Sequence, residues 1–170
     1  IPLAHGAMVD TASIALHSVK RPGIHPGETV VIVGAGPMGI LTADCAWALG
    51  AGRVIITGSG ARLGKARELG FETIDYRAED AVEAVKRLTD GTGAHVAVDT
   101  GGTVESVVQT VNVLRKGGRA AFTGVPLETV AFGGLLPALA LFLAPPSLRE
   151  AAAALVVLCP LVLGLKHGMA

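Results

Sequence analysis

The chain has 170 residues, of which 51% are hydrophobic and 16% charged, with 14 basic residues matched by 14 acidic ones. That is enough for a domain with a substantial core, and the even charge leaves no basic patch for a nucleic-acid partner. The two cysteines, Cys45 and Cys159, form neither a zinc pattern nor a disulfide framework, which points to a reducing, cytoplasmic setting. The first residues, Ile1 to His5, carry no basic n-region or signal-peptide core, and without an initiator methionine the chain reads as a fragment or excised domain.

Residues 7–20 have a helical period that Pro22-Gly23 ends, and Ile24 to Gly27 form a turn. A β-branched run from Thr29 enters Gly34-Ala-Gly36-Pro37-Met38-Gly39, and an apolar-periodic segment, Ile40–Leu49, follows and closes at Gly50. The next expected elements are a strand at Arg53–Thr57, a helix at Arg62–Leu69 stopped by Gly70, and a strand at Glu72–Tyr76. An amphipathic helix at Glu79–Leu88 and a strand at His95–Asp99 come after them. A helix at Val104–Leu114, a strand at Arg119–Thr123 and a sixth strand at Thr129–Phe132 complete the series. Strands alternating with helices at this spacing predict βαβ units and an α/β, doubly wound parallel sheet.

Strand, tight turn and helix around G-x-G-x-x-G predict a dinucleotide site. Gly34 permits the turn, Gly36 lets a diphosphate approach the backbone, and Gly39 lets the helix pack close to its strand. The helix's free N–H groups and positive dipole end would face the diphosphate. Glycines also follow the later strands at Gly58, Gly101, Gly102 and Gly124, on the edge where open α/β sheets bind ligands. Helix capping and loop turning account for Gly50, Gly70, Gly91 and Gly118.

The tail departs from this logic. Leu135–Ala144 and Ala151–Leu165 are apolar runs separated by Pro145-Pro146 and Arg149-Glu150, with Pro160 inside the second. Neither reaches the roughly 20 residues of a membrane helix, so both read as helices packing on the sheet or a partner, or as sequence displaced from its natural continuation. The expected division is a dinucleotide-binding domain over 1–134, with its linking helix at 7–20, and an apolar tail over 135–170.

Three blocks of this sequence resemble the cofactor-binding domain of the zinc-type medium-chain alcohol and polyol dehydrogenases. They are Ala7 to Val19, Pro26 to Ile40 and Ala48 to Ile55, and the likeness runs on through Val98 to Gly102, Lys116 to Arg119 and Thr123 to Pro126. The resemblance covers about residues 7–130. It implies a Rossmann domain with six strands in the order 3-2-1-4-5-6, and hydride transfer between an alcohol carbon and a nicotinamide. It also implies a catalytic zinc in the full-length protein that polarises the alcohol or carbonyl substrate, held mostly by a separate N-terminal domain that is not in this chain. Asp10 stands where the family often places an acidic zinc ligand; an ordinary acid in a helix's first turn is the other reading. His17 reads as a core or interface histidine, and no residue is expected to be catalytic.

The end of the second strand bears on the cofactor. NAD-selective domains usually carry an acid there, about 20 residues past the glycines, to hold the ribose 2′-OH. This chain has Gly58-Ser59, followed by Arg62 and Lys65, which suit a 2′-phosphate. NADP is therefore expected, with NAD the alternative. By resemblance, Thr100-Gly101 and Gly124-Val125 should give backbone contacts near the nicotinamide half, and the family's habit of pairing through its last strand implies a homo-oligomer. Asp99 is expected to structure its loop rather than to act as a base. Two other readings stay open, a dinucleotide-binding module without turnover and an assembly domain.

Overall fold

A computed structural model describes residues 6–126. Ten elements alternate along them: α1 (Val9–Lys20), β1 (Thr29–Val33), α2 (Pro37–Ala48), β2 (Arg53–Gly58), α3 (Gly60–Glu68), β3 (Glu72–Asp75), α4 (Ala81–Leu88), β4 (Ala94–Asp99), α5 (Val104–Asn112) and β5 (Leu114–Phe122). The strands form one parallel sheet in the order β3-β2-β1-β4-β5, the doubly wound Rossmann arrangement. The expected strand at 129–132 and the tail at 135–170 lie outside the described residues.

Both faces of the central strands are covered, which is why β1, β2 and β4 are mostly apolar and buried along their length rather than alternating. Successive side chains of β1 serve opposite cores. Val30 and Ile32 pack with Val54, Ile56, Val96 and Val98 beneath α1, α2 and α3. Val31 and Val33 pack with Ile55 and Ala97 beneath α4, through Ala81, Ala84 and Val85. Cys45 joins the first core as a half-buried free thiol, and burial, with the charge of Asp44, raises its pKa. Such a thiol packs rather than reacts.

Several boundaries differ from the expected ones for local reasons. α2 begins at Pro37, inside the glycine motif, because proline suits the first position of a helix. α4 begins after Asp80, whose carboxylate accepts a hydrogen bond from the Glu83 N–H at 2.9 Å. α5 ends at Asn112 rather than at residue 114, because Leu114 already pairs with Ala94 on β4. The β4–β5 register then jumps, so that Val96 meets Arg119, and the Gly117-Gly118 pair falls in the resulting bulge.

The closest backbone approach couples α2 to β1. A Cβ on the buried Gly39 would stand 1.9 Å from the Gly34 carbonyl oxygen. Gly34 itself has φ +118°, where L side chains are strained. Gly39→Ala is therefore expected to cost about 3 kcal/mol or more, read by urea unfolding without cofactor. A loss below about 1 kcal/mol would show that the helix moves away easily.

At the opposite edge, Glu28 ties the lead into β1 to β5. Burial works against ionising it, but the His25 N–H at 2.9 Å, the Arg119 guanidinium and the His25 ring outweigh that and hold its pKa at about 2. A carboxylate with a lowered folded pKa contributes stability above its ordinary range and loses it as the pH falls toward the folded value. Glu28→Gln should lower Tm by about 4 °C at pH 7, with the gap to wild type closing between about pH 4.5 and pH 2. A gap that stays constant across this window would contradict the assignment.

Candidate functional site

β1 lies at the centre of the sheet. From it the chain winds one way to β2 and β3, then crosses back to β4 and β5 on the other side. Loops leaving β1 and β4 therefore diverge, and open α/β sheets bind ligands in such a crevice. Here it is a cleft of about 960 Å³ at the carboxyl ends of β1, β2 and β4, walled by the starts of α4 and α5. Gly34, Gly36, Gly58, Ser59, Arg62, Thr100 and Gly101 line it, so the structure gathers seven of the residues singled out in the sequence.

The glycine loop shows why each position matters. A Cβ on Gly34 would stand 2.7 Å from the Thr100 hydroxyl oxygen, whereas one on Gly36 would meet nothing within 4 Å. Gly36 thus faces open space at the N-terminus of α2. No side chain caps that end, and the first N–H groups of a helix lack partners within it. Thr100 fixes the loop from β4: its N–H donates to the Val33 carbonyl at 2.9 Å, and its hydroxyl reaches the Val33 and Gly34 carbonyls at 3.1 and 3.2 Å.

At the end of β2, Gly58 is buried and has no room for a side chain, since a Cβ would stand 2.5 Å from the Ala35 Cβ. Any acid at this position would have to displace the glycine loop. The Ser59 hydroxyl donates to the Tyr76 hydroxyl at 3.0 Å. Arg62 is exposed and has no ion-pair partner among the described residues, whereas Lys65 pairs with Glu68 at 2.9 Å. Pro37 lines a smaller hollow of about 360 Å³ with Ile40, Arg62 and Lys65.

The remaining expected positions lie elsewhere. Met38 and Gly39 belong to the first turn of α2 but do not line the cleft. Gly124 and Val125 also lie off it. Gly124 sits against Gly102, where a Cβ would stand 2.3 Å from the Gly102 nitrogen, and Val125 is largely exposed. Between these loops Asp99 is fully buried. Its Oδ1 accepts from the Gly101 N–H at 3.0 Å, and its Oδ2 has no partner among the described residues. That hydrogen bond structures the loop.

Asp10 is exposed in the first turn of α1, and among the described residues no three potential ligands come together around a metal. By themselves these residues do not complete a zinc site, which needs about three protein ligands. His17 is exposed rather than part of a core. The uncapped helix end, the bare Gly36 and the cleft do fit a dinucleotide.

The sequence reading missed Thr57, Tyr76 and Gln109, which also line the cleft. Tyr76 follows β3, so the parallel order alone would have brought it to this edge. Gln109 lies inside α5 with no local signal to mark it. Among the described residues no helix is long and apolar enough to cross a membrane.

Comparison with known proteins agrees with this geometry. Residues 37–149 match the model of a family described as "Zinc-binding dehydrogenase". Sorbitol dehydrogenase of Bacillus subtilis (strain 168) is 34% identical over 124 residues, covering 72% of this chain and 35% of that protein. Probable D-xylulose reductase A of Aspergillus niger is 36% identical over 138 residues, covering 78% and 38%. A candidate zinc-binding dehydrogenase from Sinorhizobium meliloti 1021, solved bound to NADP, superposes with a TM-score of 0.71 at 33% identity, covering 81% of this chain and 41% of that one. The chain thus spans about a third of the length of the curated relatives it matches. The family match takes in more than half of its residues, and the chain belongs to the zinc-binding dehydrogenase family.

Proposed function

We propose that this chain is the cofactor-binding part of an alcohol or polyol dehydrogenase that moves hydride between an alcohol carbon and NADP, with NAD as the alternative cofactor. The observation that carries the choice of NADP is the end of β2. Gly58 leaves no room for the acid that would hold a free 2′-OH, while Arg62 has no ion-pair partner among the described residues beside the cleft. The Sinorhizobium relative bound to NADP supports the same reading.

When bound, the cofactor supplies the nicotinamide that takes or gives the hydride. The chain's own residues hold and orient it. Gly36 admits the diphosphate to the N–H groups opening α2, at Met38 and Gly39, and Pro37 sets the helix start at no cost in hydrogen bonds. Thr100 keeps that loop rigid. Thr100 and Gly101, which line the cleft, and Gly124 and Val125 beside it give backbone contacts near the nicotinamide half. Arg62 and Ser59 take the 2′-phosphate, the guanidinium through paired N–H donors. Asp10 would contribute one ligand to a zinc whose other ligands lie outside the described residues; a catalytic site needs about three protein ligands. The chain is proposed to work in the cytoplasm and to self-associate.

Fluorescence titration of the chain with both cofactors tests the assignment. NADP should bind more tightly than NAD, and Arg62→Ala should weaken NADP about tenfold or more while changing NAD less than about twofold. Tighter binding of NAD by the wild type would overturn it. A second measurement separates a dehydrogenase from a binding module without turnover. A longer protein containing this chain should reduce NADP when given a polyol or secondary alcohol, and binding without any such reduction would favour the module.

A further inference from the structure

The cleft is deeper than the glycine loop and the β2 end require. Beyond Ser59 it runs down between α4 and α5 as far as Asn112. Its charges are unevenly placed. Among the described residues that line it, Arg62 is the only cation, and it stands beside Ala35 and Pro37, where it also borders the smaller hollow. Asp80 and Glu105, at the starts of α4 and α5, carry the opposite sign. Phosphates suit the first end. A neutral base with an exocyclic amine suits the second.

Thr57 and Gln109 both line this cleft. Thr57 is the penultimate residue of β2 and is fully buried, and its hydroxyl donates to the Gln109 Oε1 at 3.2 Å. A carbonyl oxygen has two lone pairs and an amide nitrogen two donors. With Oε1 held by Thr57, Gln109 keeps one acceptor site and, among the described residues, both Nε2 donors uncommitted. A carboxamide pairs in a bidentate way with the N6 amine and the adjoining ring nitrogen of adenine.

We propose that Gln109, its amide fixed by the buried Thr57 hydroxyl, is a specificity-determining residue that reads the amino edge of the adenine base in the bound dinucleotide. This rests on the cofactor reading above and adds to it the residue that recognises the base. Hypoxanthine is the discriminating probe. It has the same shape, but replaces the N6 amine by a carbonyl oxygen, which would face the Gln109 Oε1 acceptor to acceptor. A site that hydrogen-bonds a donor rejects the analogue lacking it.

The test is the ratio of affinities of the full chain for NADP and for deamino-NADP, its hypoxanthine analogue. Wild type should favour NADP by about tenfold or more, and Gln109→Met should bring the ratio to within about twofold of unity. Thr57→Val keeps the shape of the buried residue but frees the amide, and should lower the ratio as well. Equal affinities in the wild type would overturn the proposal, as would a Gln109→Met variant that keeps the full preference. If circular dichroism shows Gln109→Met unfolded, Thr57→Val decides alone, and an undiminished ratio in it counts against the proposal. Failure to bind either dinucleotide would instead overturn the cofactor reading on which the proposal stands.

Discussion

The contact between α2 and β1 is the constraint on which the rest depends. The helix can start immediately after the turn only because Gly39 has no Cβ to strike the Gly34 carbonyl. That contact fixes where the helix axis begins, and so where its unpartnered N–H groups point. Gly34 takes a positive φ to make the turn, and Thr100 reaches across from β4 to hold the carbonyls of Val33 and Gly34. Three consequences follow from one missing methyl group: a short turn, a bare helix end and a loop braced from the neighbouring strand. None would survive a helix displaced by even one ångström, because interiors are packed too densely to absorb the shift.

The same constraint shapes the end of β2. Ala35 sits between the two loop glycines and turns its Cβ toward Gly58 at a distance that leaves no space for a second carbon. The absence of an acid there is therefore a packing property of the glycine loop as well as a choice at one position. On the proposed cofactor reading, selectivity for the ribose then passes to groups further along, the Ser59 hydroxyl with its Tyr76 partner and the exposed Arg62. These act at the rim, where a solvated guanidinium gains less from an anion than a buried one would. The glycine loop thus sets the geometry, and the residues after β2 tune the charge.

How much of this was legible in the sequence depends on range. The central strands β1, β2 and β4 show as apolar runs because they are buried on both faces, and the glycine motif shows because a dinucleotide site needs glycines at fixed offsets in one short segment. Asp80 and Thr103 start their helices with side-chain caps, a local rule that sequence carries directly. The end of α5 was misread, since Val113 and Leu114 continue the helical period while the pairing of Leu114 with Ala94 depends on a residue 20 positions earlier. Of the two readings of His17, the core one is removed, because α1 turns Ala15, Ser18 and Val19 inward and leaves His17 exposed. The Thr57–Gln109 bond spans 52 positions and joins two residues that have no motif.

This difference in range matters for function. A diphosphate is the same in every dinucleotide, so the groups that hold it can be backbone amides placed by a local motif. A base or a 2′-phosphate distinguishes one cofactor from another, and side chains must read it. Side chains that line the cleft beyond the glycine loop come from β2, α3, the residue after β3 and α5, which only the sheet order brings together. The chain can therefore keep its glycine motif unchanged while its cofactor choice drifts with a few scattered residues. The same reasoning holds for the metal. Asp10 lies on α1, outside the cleft, so any ion it helped to hold would need ligands from chain beyond the described residues. On the proposed function, holding the cofactor and polarising the substrate are then tasks of separate parts, and the described residues would carry the first.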